Sequence, residues 1–103
     1  MHTDDSWQAI LNVLGAVPPG RVCTYGKIAE LAGCPGKSRY VGYILKSLPD
    51  DSRLPWHRIV NAQGRISFPL HSDRYALQRS LLENEGIHFL RDRITLCTFL
   101  WQG

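Results

Sequence analysis

One stretch in the first half of the chain constrains the fold most. Between Ser38 and Leu48, the residues Val41, Ile44, Leu45 and Leu48 recur at helical spacing as one apolar stripe. The opposite face carries Arg39, Gly42, Tyr43 and Lys46 at i, i+3, i+4 and i+7, with Ser38 beside it. This is an amphipathic helix with a small, basic outer face. Glycine inside a helix costs up to about 1 kcal/mol relative to alanine, and on an exposed face one reason to keep it is the close approach of another surface. Just upstream, Thr24 is placed to cap a helix from Tyr25 to Ala32, Gly33 to end it, and Cys34-Pro35-Gly36-Lys37 to turn the chain. Two short helices joined by a glycine-containing turn read as a helix-turn-helix.

The flanking elements follow from similar signals. Asp4 or Asp5 can cap a first helix that buries Trp7, Ile10, Leu11 and Leu14 and ends at Pro18-Pro19-Gly20. Arg21-Val22-Cys23 is expected to be extended. Arg58-Ile59-Val60 and Arg65-Ile66-Ser67 flank the turn-rich Asn61-Ala62-Gln63-Gly64, which predicts a small hairpin, the wing of a winged helix. A last clear helix runs from about Ser72 to Glu85, capped by Ser72 or Asp73 and stopped by Gly86. The tail from Ile87 to Trp101 is apolar, with a short strand or turn around Arg91-Asp92-Arg93, and is expected to pack Phe89, Leu96 and Trp101 onto the domain. With 103 residues there is room for one core, which should bury roughly two-thirds of the unfolded chain's surface. The expectation is a single domain over residues 1–103 of α+β class, mostly helical, with a winged helix-turn-helix architecture.

Composition narrows the partners. At 44% hydrophobic and 20% charged residues the chain is globular rather than disordered, and no apolar run approaches the ~20 residues that span a bilayer. Met1-His2-Thr3-Asp4-Asp5 lacks the basic-then-apolar order of a signal peptide, and three cysteines without C-x-x-C spacing fit a reduced compartment with no disulfide framework or zinc cluster. The expectation is a cytoplasmic monomer without membrane contact, metal or cofactor, nucleoid-associated if bacterial. The net charge of +3 is unevenly spread: residues 21–65 carry eight basic groups against Glu30, Asp50 and Asp51, while Asp4 and Asp5 leave the first twenty residues acidic. A basic central segment is either a footprint for a polyanion or a solvated charged face, and charge alone does not decide between them.

Motifs decide. Leu54-Pro55-Trp56-His57-Arg58-Ile59-Val60 resembles the active-site segment of the O6-alkylguanine-DNA alkyltransferases, in which Pro-Cys-His-Arg supplies the alkyl-accepting thiol. Arg21-Val22-Cys23-Thr24-Tyr25-Gly26-Lys27-Ile28-Ala29, Ser38-Arg39-Tyr40-Val41-Gly42 and Leu82-Glu83-Asn84-Glu85-Gly86 resemble further motifs of that family, in the same order and spacing from about Val17 to Gly86. Here an indole stands where the thiol should be. Its nitrogen lone pair belongs to the aromatic system, so Trp56 offers an N–H donor and a π-face but no practical nucleophile. The chain is thereby similar to the alkyltransferase-like proteins, a non-enzymatic branch.

The resemblance implies a domain of the alkyltransferase C-terminal type and a role for each motif residue. It implies that Tyr25 and Arg39 flip a nucleotide out of double-stranded DNA, Tyr25 pressing on the adjacent phosphate and Arg39 filling the gap in the stack from the minor groove. A planar guanidinium suits that task where lysine would not. Tyr25, Trp56 and Ile59 are expected to bound a pocket for O6-alkylguanine, and Ser38, Arg39, Gly42 and Lys46 to contact the DNA. His57 and Glu85, which in active relatives belong to a thiol-activating relay, would remain as structural relics. The implied outcome is a lesion marked for nucleotide excision repair proteins without alkyl transfer. Two other readings stay open: an active alkyltransferase using Cys23, Cys34 or Cys97, and a winged-helix transcriptional regulator. Two departures from the family pattern stand out. Ser67-Phe68-Pro69-Leu70-His71 is apolar where active enzymes place polar contacts to the base, and Leu48 replaces an asparagine that braces the reactive loop.

Overall fold

The computed structural model describes residues 5–103. Helix α1 (Asp5–Ala16) therefore begins at the second of the two expected capping residues, and Asp4 lies outside the described residues. It turns Ile10 and Leu14 inward, and Val17, buried just beyond it, closes the same layer. Strand β1 (Cys23–Thr24) leads directly into α2 (Tyr25–Leu31), where the Thr24 hydroxyl accepts from the Lys27 backbone N–H at 3.1 Å. Gly33, at φ +83°, supplies the left-handed residue that ends the helix.

Helix α3 (Ser38–Lys46) stops earlier than its apolar stripe predicts. The Ser47 hydroxyl takes the Tyr43 carbonyl at 2.9 Å, and Pro49 disfavours helical geometry at Leu48. Val41 and Ile44 are buried, while Leu45 and Leu48 pack from the rim of the same core against α1 and α2.

The predicted wing is absent as a hairpin. A 3₁₀ turn (Trp56–Arg58) leads into β2 (Ile59–Val60), which pairs in parallel with β1, Cys23 opposite Ile59 and Thr24 opposite Val60. Both β2 residues are buried, so the strand pairs in the interior rather than with Arg65-Ile66-Ser67. Asn61 instead folds the following loop on itself: its Oδ1 accepts from the Gln63 and Arg65 N–H groups at 3.0 and 2.9 Å. Gly64 then accepts from Ile94 N–H at 2.9 Å, which docks this loop on the tail.

Helix α4 (Asp73–Asn84) is capped by Ser72, whose hydroxyl accepts from the Tyr75 N–H at 3.2 Å. The antiparallel pair in the molecule lies beyond it, where β3 (Phe89–Leu90) meets β4 (Arg93–Ile94) around Arg91 at φ 59°. The short helix α5 (Leu96–Phe99) follows, and the tail then runs beside β1: Val22 donates to Phe99 at 3.0 Å and Trp101 donates to Val22 at 2.8 Å. Phe89 and Leu96 pack on a second buried cluster that includes Val22, Val60 and Leu82, and Trp101 packs on the first. Among the described residues no helix is long and apolar enough to cross a membrane, and no cluster of side chains could hold a metal ion.

Candidate nucleic-acid interface

A cavity of about 640 Å³ opens where α2, α3, the Trp56 turn and the start of α4 converge. Its size falls within the roughly 300–1,000 Å³ of ordinary ligand pockets. Tyr25 reaches it from the first position of α2, directly after the Thr24 cap, and its hydroxyl donates to the Ser67 hydroxyl at 3.0 Å. Ser38, Arg39, Gly42 and Lys46 line the α3 side, with Leu45 below them, and Trp56 and Ile59 form the opposite wall. All the residues expected to contact DNA or to bound a lesion pocket thus meet at one opening. Arg39, Lys46 and Arg74 bring three cations to it, and no carboxylate lines it. Arg39 is exposed and joins none of the ion pairs among the described residues.

Gly42 carries specific information. A Cβ added there would have Tyr25 Cε1 at 3.9 Å, an ordinary contact, so nothing within the fold demands glycine at this point of α3. Without a side chain here, this stretch of α3 leaves room for another surface to approach its backbone.

The wall opposite α3 is stiffened from behind. Glu85, just past the end of α4, accepts from Arg58 Nη2 at 2.7 Å, from Arg58 Nε at 3.0 Å, from His57 Nε2 at 2.8 Å and from the Gly20 N–H at 3.3 Å. Burial pushes its carboxyl up, but the Arg58 and His57 hydrogen bonds and the Gly20 N–H outweigh that and bring it down to about 2. An ionised carboxylate only accepts, so the His57 proton in this contact sits on Nε2. Arg58 also donates through Nη1 to the Val17 carbonyl at 2.8 Å. His57 and Glu85 therefore serve here as the joint between the Trp56 turn, α4 and the loop before β1.

Residues 5–87 match the family described as 6-O-methylguanine DNA methyltransferase, DNA binding domain. The chain belongs to that family. The DNA base-flipping protein of Vibrio parahaemolyticus serotype O3:K6 is 44% identical over 94 residues, 90% of this chain and 92% of that protein. Alkyltransferase-like protein 1 of Schizosaccharomyces pombe is 31% identical over 107 residues, with 99% of each chain covered. The crystal structure of S. pombe Atl1 in complex with damaged DNA containing O6-carboxymethylguanine superposes with a TM-score of 0.88 at 30% identity over 100% of both chains.

Among the described residues no cysteine lines the cavity. Cys23 is wholly buried, and burial pushes its thiol up to about 11; Cys34 is half-buried beside the core and Cys97 lies exposed near the tail. Sequence reasoning placed the Ser67–His71 loop beside the base without fixing its contacts, and it missed Arg74 and Gln78 of the cavity. Phe68 meets the Trp56 ring edge-on at 6.3 Å, and Pro69 continues the same apolar rim, so the loop that departs from the family pattern supplies apolar wall beside the Ser67 hydroxyl. Arg74 lays its guanidinium 4.9 Å from the Trp56 ring centroid and 5.8 Å from that of Phe68. Gln78, only 2% exposed, donates through Nε2 to the His57 and Ile59 carbonyls, both at 2.9 Å. It holds the Trp56 turn from α4. The available signal was spacing: Arg74 and Gln78 lie at i and i+4 on one face of α4.

Proposed function

We propose that this protein binds double-stranded DNA containing O6-alkylguanine, rotates the damaged nucleotide into the cavity beside Trp56, and holds it there without alkyl transfer. The observation that carries the reading is the convergence of Tyr25, Arg39 and Trp56 on one cation-rimmed cavity that no thiol lines. Arg39 stands at the mouth, free of ion pairs, where it can enter the gap that a flipped base leaves. Tyr25 lies beside it, able to bear on the neighbouring phosphate. Gly42 lets the groove floor approach α3 closely.

The energetics favour damaged over normal guanine. Flipping costs a few kcal/mol, and less where pairing is already impaired. An O6-alkyl group removes the N1–H of guanine and weakens pairing with cytosine, so extrusion is cheaper. Once inside, the alkyl group gains apolar contact with Trp56, Ile59 and Phe68, worth about 0.8 kcal/mol per buried methylene. With an indole in place of a thiol no bond forms, and the complex persists. The protein acts as a monomer in the cytoplasm, and the long-lived complex would mark the lesion for nucleotide excision repair proteins. Support comes from the S. pombe relative crystallised on damaged DNA and from the base-flipping name of the V. parahaemolyticus relative.

The test is equilibrium binding at one stated salt concentration to matched duplexes with and without a single O6-methylguanine, followed by intact-mass measurement of the protein. Tighter binding to the damaged duplex with no mass gain is expected. Equal affinities would refute lesion recognition, and an added methyl mass would refute the absence of transfer.

A further inference from the structure

Tyr43 is 61% exposed, among the most exposed of the large hydrophobic residues described, yet it is not loose. Trp7, in the first turn of α1, meets its ring edge-on at 6.3 Å and meets Tyr40 in the same way at 6.3 Å. A tryptophan from another helix thus packs edge-on against two tyrosines one turn apart on α3 and supports the outer one from one side. An exposed aromatic supported by a neighbouring ring has less freedom left to lose on binding, which is how rigid tyrosines serve recognition surfaces.

Its position on α3 says what it faces. At ~100° per residue, Leu45, Ser38, Gly42, Lys46 and Arg39 form one arc toward the cavity with Arg39 at its edge, and Tyr43 comes about 40° beyond Arg39 on the side away from it. If the flipped nucleotide enters the cavity, its strand passes on the cavity side of Arg39. The minor groove is only about 6 Å wide, so the backbone on the other side of Arg39 is the complementary strand.

We propose that Tyr43, braced by Trp7, is a second DNA contact that packs its ring on the sugar–phosphate backbone of the strand opposite the lesion. The proposal rests on the lesion-binding reading for its orientation. The contact does not touch the damaged base, so it adds affinity to damaged and undamaged duplex alike and needs the complementary strand to be present. Division of labour follows: the cavity reads damage, while the Tyr43 side anchors the helix in the groove.

The test compares wild type with Tyr43→Ala on three DNAs at one salt concentration: a duplex with one O6-methylguanine, the same duplex undamaged, and the damaged strand with a complement gapped across from the lesion. Thermal melting of Tyr43→Ala is expected to fall by only a few degrees, because the side chain is mostly solvent-exposed and loses little beyond its edge-on contact with Trp7. The variant is expected to bind both intact duplexes roughly fivefold more weakly and to match wild type on the gapped DNA. Unchanged affinity for the intact duplexes would overturn the contact, and an equal loss on the gapped DNA would overturn its assignment to the complementary strand. The wild-type ratio between damaged and undamaged duplex reports separately on lesion recognition, so a ratio of one would remove that reading without deciding the Tyr43 comparison on intact duplexes.

Discussion

The Arg58 guanidinium grips the Glu85 carboxylate through two nitrogens, Nη2 at 2.7 Å and Nε at 3.0 Å, and so ties the Trp56 turn to the end of α4. Because Glu85 is brought down to about 2 from an ordinary 4.5, its ionised form stabilises the fold. For a lowered carboxyl that contribution is complete above the unfolded value and is lost as pH falls through the folded one. Wild type should therefore lose stability between about pH 4.5 and 2, and Glu85→Gln should lose less over that window. At pH 7 the variant should be less stable by about 2 kcal/mol, since a partly buried Arg58 keeps only a neutral acceptor. Urea unfolding across pH checks both; parallel pH profiles for the two proteins would refute the linkage.

Among the described residues Gln78 is the side-chain donor to both the His57 and Ile59 carbonyls, and it is buried. Gln78→Leu keeps the volume and removes both bonds. Leaving one buried and one partly buried carbonyl short of a donor should cost about 2–3 kcal/mol in urea unfolding. It should also loosen the cavity wall, visible as faster amide exchange in the 54–60 segment. A neutral substitution would show that water or neighbouring groups replace the amide.

Gly42→Ala separates stability from binding. The added methyl fits beside Tyr25 in the free protein, so the helix should gain about 0.5–1 kcal/mol and the melting temperature should rise. Binding to duplex DNA should weaken nonetheless, because the methyl stands where the groove floor must approach. A variant that is more stable and binds equally well would remove the close-approach role.

Local chemistry was legible in the sequence, and distant pairing was not. Thr24, Gly33 and Ser72 act within one helical turn of themselves, so their caps and stops follow from residue type alone. The partner of Ile59 and Val60 was misread because a turn-rich neighbour suggested a hairpin, while the true partner, Cys23 and Thr24, comes from far earlier in the chain. Helix α4 hid its role for another reason. It buries Gln78 at 2% exposure and leaves Leu77 at 45%, the reverse of what an apolar pattern implies. The cavity residues Tyr25, Arg39 and Trp56 were identifiable by motif, but Phe68, Arg74 and Gln78 join them only through tertiary packing.

Arg39 and Arg74 make opposite demands on the same complex. Arg39 sits at the mouth on α3 and, as proposed, fills the stack after extrusion; Arg74 lies against the Trp56 and Phe68 rings inside. Arg39→Ala should therefore lower the flipped population itself, costing about 1–3 kcal/mol of lesion binding by the scale of base stacking. A fluorescent base analogue placed at the flipped position should lose its unstacking signal. Tyr25→Ala should do the same without unfolding the protein. Arg74→Ala should leave flipping detectable but shorten the life of the complex, with a loss of about 1 kcal/mol typical of a partly exposed cation over an aromatic ring. Stopped-flow fluorescence distinguishes them: Arg39→Ala and Tyr25→Ala should reduce the amplitude of the unstacking phase, whereas Arg74→Ala should mainly accelerate dissociation. Equal amplitudes and off-rates in all three variants and wild type would show that none of these side chains handles the extruded base.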